Sequence, residues 1–162
     1  MKQIKYFLTT LIFLSIFSQA SAQLRLGAGM GFGFDTEEFS IFARAAYDFS
    51  EEWRANATYN YFFIGEDELT GLNINLSDLN FDVHYTFVKF LTIDLYGLGG
   101  VNIATSKVKG GESDTEVGAN LGVGSNLGVA DKLDIVTELK YTVGSLDQFY
   151  FGAGLLFTIS GR

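Results

Sequence analysis

The sequence contains no cysteine and no proline among its 162 residues, and it has a single histidine. Without cysteine the chain can form neither a disulfide nor a thiolate zinc site, and it cannot carry a lipid-modified N-terminal cysteine. One histidine also excludes a histidine-rich metal site, so we expect no metal and no cofactor.

Basic residues are scarce as well. Lys and Arg number 11 against 19 Asp and Glu, a formal net charge of −8. An acidic chain is a poor candidate for binding the phosphate backbone of nucleic acid, so we expect no nucleic-acid partner. The chain is nevertheless rich in hydrophobic (48%) and aromatic (15%) residues, which excludes a disordered protein. Its length predicts one domain.

Residues 1–22 have the organisation of a secretory signal peptide. Two lysines precede an apolar run of about 12 residues, and small residues then lead to a predicted cleavage site between Ala22 and Gln23. The apolar run is shorter than the roughly 20 residues that a membrane-spanning helix needs. We therefore predict a signal peptide over residues 1–22 and a barrel domain over residues 23–162.

After residue 22, apolar and polar residues alternate with a period of two, which predicts β-strands. Eight such segments follow one another, and an even number of antiparallel strands can close into an up-and-down barrel. The predicted strands cover residues 24–34, 39–49, 53–63, 78–87, 91–103, 116–129, 133–143 and 148–159.

Alternation alone fits both a membrane barrel and a soluble secreted barrel. The distribution of charge favours the membrane barrel, because one face of every predicted strand carries no charge while the other carries Arg, Lys, Asp and Glu. A face turned to lipid must be free of charge, whereas an apolar core could not hold so many charged side chains. Aromatic residues near the strand ends fit interfacial girdles. The sequence thus predicts an all-β, eight-stranded antiparallel transmembrane barrel.

The predicted links alternate between short and long. Links 50–52, 88–90 and 130–132 have three residues each, and the two longest links are 64–77 and 104–115. Barrels of this class have short periplasmic turns and longer outer loops. We therefore expect periplasmic termini, and we consider loops 64–77 and 104–115 as possible contacts for an extracellular ligand of unknown identity.

The interior of an eight-stranded barrel is just wide enough for side chains to fill. Counting back from the predicted turns places Asp48 between Arg25 and Arg54, and places His84 beside Asp94. Two interpretations follow: a polar plug that fixes strand register, which we favour, or a path for ions or protons. Inward-facing glycines either make room for large side chains or line a narrow slot. The predicted charge network of the lumen comprises Arg25, Arg44, Asp48, Arg54, Asp82, His84, Asp94, Glu138 and Lys140.

The signal peptide, the glycine-rich first strand, the eight alternating segments and the aromatic last strand resemble the small outer-membrane β-barrel proteins of the OmpA, OmpX and OmpW type. The "porin family" versions common in Bacteroidetes are the most similar. The resemblance implies an outer-membrane monomer that contacts lipid and lipopolysaccharide and is inserted by the barrel-assembly machinery. We expect no enzyme, because the only histidine, His84, has no serine beside it in the predicted register.

Two functions remain from the sequence. The first is a structural or surface-interaction role with a lumen plugged by charged side chains. The alternative is a narrow porin-like channel or transporter for small solutes.

Overall fold

The structure, a computed structural model, describes residues 23–63, 74–108 and 113–160. The predicted signal peptide with Ala22 lies outside the described residues, as do segments 64–73 and 109–112 of the two long predicted links. Gln23, which follows the predicted cleavage site, is the first residue of the first strand. No helix in the described part of the chain is long and apolar enough to cross a membrane.

Eight antiparallel strands form one closed barrel, in which each strand pairs with its neighbours in sequence and the last pairs with the first. This arrangement confirms the predicted up-and-down barrel. The strands are β1 (Gln23–Gly33), β2 (Glu38–Asp48), β3 (Trp53–Phe62), β4 (Ile74–Phe90), β5 (Ile93–Val108), β6 (Ser113–Ala130), β7 (Leu133–Val143) and β8 (Gln148–Ser160).

Burial alternates along the strands as the sequence pattern predicts. In β2, Phe39 and Ile41 are exposed on the outer face, whereas Ser40 and Phe42 are buried in the interior. Successive side chains of a strand point to opposite faces, so one face of each strand lines the lumen and the other covers the outside. The outer face is apolar, and most of the fully buried side chains are polar.

Strands β4, β5 and β6 are longer than predicted, and the predicted link 88–90 is wrong because these residues belong to β4. A β-bulge between Thr86 and Val88 shifts the pairing of β4 with β5. The extra residue of a bulge breaks the period-two pattern, and both Phe87 and Val88 are exposed. The alternation of apolar and polar residues therefore stops before β4 ends. For this reason the predicted strand ends at residue 87, whereas β4 continues to Phe90.

The strand registers agree with the predictions in one of three cases. Asp48 lies opposite Arg54 in the β2–β3 ladder, as predicted. In the β1–β2 ladder Asp48 lies opposite Gln23 rather than Arg25, because β1 ends one residue earlier and β2 begins one residue earlier than predicted. The β4–β5 register also differs, and it pairs His84 with Leu98.

Candidate functional site in the barrel interior

A buried ion pair crosses the middle of the lumen between β2 and β7. The side chains of Arg44 and Glu138 are only 6% and 5% exposed. Arg44 donates to both carboxylate oxygens, with 2.7 Å between Nη1 and Oε1, and its Nε donates to Thr58 Oγ1 at 2.9 Å. The Tyr96 hydroxyl donates to Glu138 Oε1 at 2.8 Å. Buried charges are tolerated where partners satisfy them in this way, so the pair and its neighbours form a closed central layer.

His84 completes the central layer by packing rather than by hydrogen bonding. Its ring stacks on Tyr96 with 4.4 Å between the centroids and 13° between the planes. Its Nε2 lies 3.6 Å from Glu138 Oε1, which is too long for a hydrogen bond. The central layer therefore joins side chains from β2, β3, β4, β5 and β7, and it consists of Arg44, Thr58, His84, Tyr96 and Glu138.

The prediction that His84 lies beside Asp94 is wrong. His84 is paired with Leu98, and Asp94 lies opposite Lys89 near the β4–β5 turn. The bulge and the tighter turn displace this ladder from the register that the sequence suggested. The same displacement places Asp82 opposite Gly100.

A second polar layer is centred on Asn80. Its Oδ1 accepts hydrogen bonds from Lys140 Nζ at 2.8 Å, Asn102 Nδ2 at 2.9 Å and Asn120 Nδ2 at 2.8 Å. Asn120 Nδ2 also lies 2.8 Å from Asp82 Oδ1. Lys140 and Asp82 were predicted site residues, but sequence reasoning missed the asparagines. Their inward position in the alternation was the available signal, because a neutral polar residue on that face also lies in the lumen.

An apolar cap lies beyond these layers, towards the end of the barrel with the longer loops. Phe62, Leu76 and Tyr150 form a buried cluster, with 6.1 Å between the centroids of the two rings. The Tyr150 hydroxyl reaches Ser40 Oγ at 3.0 Å and donates to Asn60 Oδ1 at 3.1 Å. The large aromatic side chains thus fill this part of the lumen, and Lys140 Nζ lies 5.2 Å from the centroid of the Tyr150 ring.

The inward glycines of β1 make room for these aromatic side chains. A methyl group added at Gly31 would overlap the Tyr150 hydroxyl, and one added at Gly29 would overlap the Phe42 ring. The space beside both glycines is therefore occupied, which fits the room-making interpretation and leaves no slot there.

A cluster of four charged side chains lies at the barrel end where β1 begins and β8 ends. Arg25 Nε is 2.7 Å from Asp48 Oδ2, and Arg54 Nε donates to Asp48 Oδ1. Arg25 also donates to Asp134. The structure thus places Asp48 between Arg25 and Arg54, although Arg25 reaches it diagonally rather than from the directly opposite position.

Asp94 lies away from His84, its predicted partner. It lines an open cavity of about 570 Å³ at the barrel end that carries the two-residue turns, together with Arg25, Asn126 and Asp134. In residues 23–63, 74–108 and 113–160, no group of three or more His, Asp or Glu side chains could hold a metal ion.

A family model described as an outer membrane protein beta-barrel domain matches residues 7–157 of the chain. Among curated proteins, no sequence matches the chain.

Solved outer-membrane barrels share the fold at low sequence identity. The N-terminal β-barrel domain of Pseudomonas aeruginosa OprF superposes with a TM-score of 0.69 at 13% identity, covering 87% of this chain and 100% of that one. Ail of Yersinia pestis in complex with the heparin analogue sucrose octasulfate gives a TM-score of 0.62 at 15% identity, with 85% and 98% covered. Neisserial surface protein A gives 0.60 at 15% identity, with 85% and 96% covered.

Proposed function

This chain belongs to the family of outer membrane protein beta-barrel domains and is located in the bacterial outer membrane, and we propose that it has a structural or surface-interaction role there, with a lumen closed by its own side chains. The termini and short turns face the periplasm, and the longer loops face outward. This orientation follows the usual loop lengths of the class.

The buried Arg44–Glu138 pair is the observation that carries the proposal. Side chains from opposite walls meet on Glu138, and both charges are satisfied within the layer. Rings of like charge are one way in which selective pores are built at a constriction, whereas here opposite charges meet and pair across the lumen. The apolar cap and the filled space beside the β1 glycines support closure at further levels.

Conductance in planar bilayers tests closure directly. The wild-type protein should give no steady single-channel current. The variant that combines Arg44→Ala and Glu138→Ala with Tyr150→Ala removes the central ion pair and opens the apolar cap, and it should introduce conductance. A matched control, Glu51→Ala with Lys89→Ala, removes an exposed ion pair of 3.8 Å outside the layer and should remain silent. Steady wild-type currents would overturn closure, and the narrow channel for small solutes would replace it.

We call the described outer loops and the adjacent strand ends the outer rim. The negative charge of the outer rim supports a cationic rather than a polyanionic partner. The Ail structure contains a heparin analogue, which is a polyanion. The described outer loops and strand ends of this chain carry acidic side chains with Lys107 as the single basic residue in that part. Like charges repel, so a surface-interaction role here favours a basic partner. The acidic side chains are Asp35, Glu37, Glu38, Asp114, Glu116 and Asp147.

A further inference from the structure

Three adjacent strands are longer than the other five. Strands β4, β5 and β6 have 17, 16 and 18 residues, and the others have 10 to 13. The β5–β6 ladder continues outward to Lys107 paired with Ser113, but the β6–β7 ladder ends with Ala119 paired with Val143. Within the described part of the chain, residues 113–118 are therefore paired with another strand on one side only.

The loop after β7 covers part of the unpaired side. A side chain at Gly118 would run into Ser145, and one at Gly144 would come within 3.3 Å of the Val117 carbonyl oxygen. Residues 113–116 lie beyond this loop and all are exposed. We call them the β6 edge. An unpaired strand presents a row of backbone N–H and C=O groups that can pair with another strand.

A small cavity of about 170 Å³ opens on the inner face of the β6 edge. Asp114 and Glu116 line it together with the apolar side chains of Leu76, Ala104 and Leu146, and no basic residue of the described chain is among its lining residues. Cavities for drug-sized molecules are larger, about 300–1,000 Å³. The cavity therefore has the size and chemistry for a single lysine or arginine side chain, whose methylene stem can cover apolar surface while its charge meets a carboxylate.

We propose that the β6 edge binds an extended basic peptide segment as an added strand, with one lysine or arginine side chain of that segment in the Asp114–Glu116 cavity. The inference rests on the proposed surface-interaction role and names the class of partner. Backbone hydrogen bonds along the edge supply affinity, and the acidic cavity supplies specificity, as is general for strand addition.

A second copy of this chain is a poor occupant of the β6 edge. Two copies in one membrane share the same orientation, so a two-fold axis lies along the membrane normal and pairs the two edges in parallel. Each acidic residue would then lie beside its own equivalent in the other copy. Like charges at adjacent positions destabilise a strand pair.

The test measures binding of a fluorescent peptide to the full chain folded in detergent micelles, by fluorescence anisotropy. The probe is a short peptide of alternating lysine and threonine. We expect saturable binding, and we expect Asp114→Asn with Glu116→Gln to weaken it at least about tenfold because two charge-assisted contacts are lost. The matched variant Glu37→Gln with Glu38→Gln removes the same charge from the β1–β2 end of the rim and should bind as the wild type does.

Two N-methylated forms of the probe distinguish strand addition from adsorption. Alternate amides of an added strand face the β6 edge, so methylating one alternate set should abolish binding while methylating the other set should preserve it. Equal binding of both forms, or equal loss in both acidic variants, would overturn the inference in favour of charge attraction alone. Absence of binding by the unmodified probe would also overturn it.

The outcomes separate this inference from the proposed function. A barrel that is silent in bilayers but does not bind the probe would overturn the β6-edge inference and leave closure intact. A barrel that conducts would overturn closure, whatever the peptide does.

Discussion

At the scale of single residues, Glu138 holds the interior together because two side chains, those of Arg44 and Tyr96, donate hydrogen bonds to its carboxylate. Replacing it by alanine leaves the Arg44 guanidinium buried without its charge partner and leaves the Tyr96 hydroxyl without an acceptor. Breaking a buried ion pair from one side costs about 3–5 kcal/mol. We therefore expect Glu138→Ala to lower the free energy of unfolding by an amount of this order, measured by urea unfolding of the barrel in lipid vesicles.

Two further variants make the Glu138 prediction specific. Replacing both partners with apolar residues, Arg44→Met with Glu138→Leu, should recover much of the lost stability because no unpaired charge remains. Glu51→Ala removes one partner of an exposed ion pair, with Glu51 76% exposed, and should change stability by less than about 1 kcal/mol. A Glu138→Ala barrel as stable as the Glu51→Ala control would contradict the role given to the central layer.

The sequence pattern predicts which charged side chains point into the lumen, but it does not predict which of them contact each other across the lumen. Alternation places Arg44, Glu138 and Lys140 on the inward face, and all three are buried there. Counting from turns relates only neighbouring strands, which is why the Asp48–Arg54 contact was predictable. Arg44 and Glu138 belong to strands that do not pair, so their contact depends on barrel closure and side-chain length, which the sequence pattern does not contain.

At the scale of the element, the inward glycines of β1 provide interior space for large side chains of other strands. Every inward residue of β1 from Gly27 to Gly33 is glycine, and the neighbouring strands β8 and β2 place the side chains of Tyr150 and Phe42 in the space beside these glycines. Inserting atoms into a filled interior costs about 1–3 kcal/mol. We expect Gly31→Ala to destabilise the barrel by this amount, measured by the same unfolding experiment.

The control for Gly31 is an outward glycine. A methyl group at Gly97 of β5 would meet open space, with its nearest neighbour 4.0 Å away. Gly97→Ala should therefore be neutral or slightly stabilising, because alanine restricts the unfolded chain more than glycine does. Equal destabilisation by both substitutions would mean that glycine matters in these strands for backbone reasons and not for interior space.

The sequence predicts the number and order of the strands and which side chains of each strand point into the lumen. It does so because a period of two is a direct consequence of strand geometry. Strand ends and registers could not be read as well. The outer parts of β4, β5 and β6 carry polar residues on both faces, as at Ser113 and Asp114, so the alternation fades while the ladder continues. The β-bulge after Thr86 interrupts the alternation within β4. Its position is defined by the pairing of β4 with β5, which the sequence pattern does not contain.

At the scale of the whole molecule, the barrel reverses the usual distribution of polar and apolar residues. Its outer face carries exposed Phe, Leu, Val and Ile side chains, and asparagines and ion pairs fill its interior. Closure of the sheet leaves no unpaired strand edge within the bilayer, where an unsatisfied backbone group costs several kcal/mol. The free β6 edge lies instead at the outer end of the strands, where water can satisfy it until a partner strand does.

The orientation of the barrel can be tested because the sequence contains no cysteine. A single introduced thiol is then the only site for a membrane-impermeant maleimide. Thr115 lies in the long β5–β6 hairpin and Glu51 in the short β2–β3 turn, and both are exposed. If the long loops face outward, Thr115→Cys should be labelled in intact cells, whereas Glu51→Cys should be labelled only after the outer membrane is permeabilised. The reverse pattern would invert the barrel and place the β6 edge in the periplasm, where its basic partner would have to be sought.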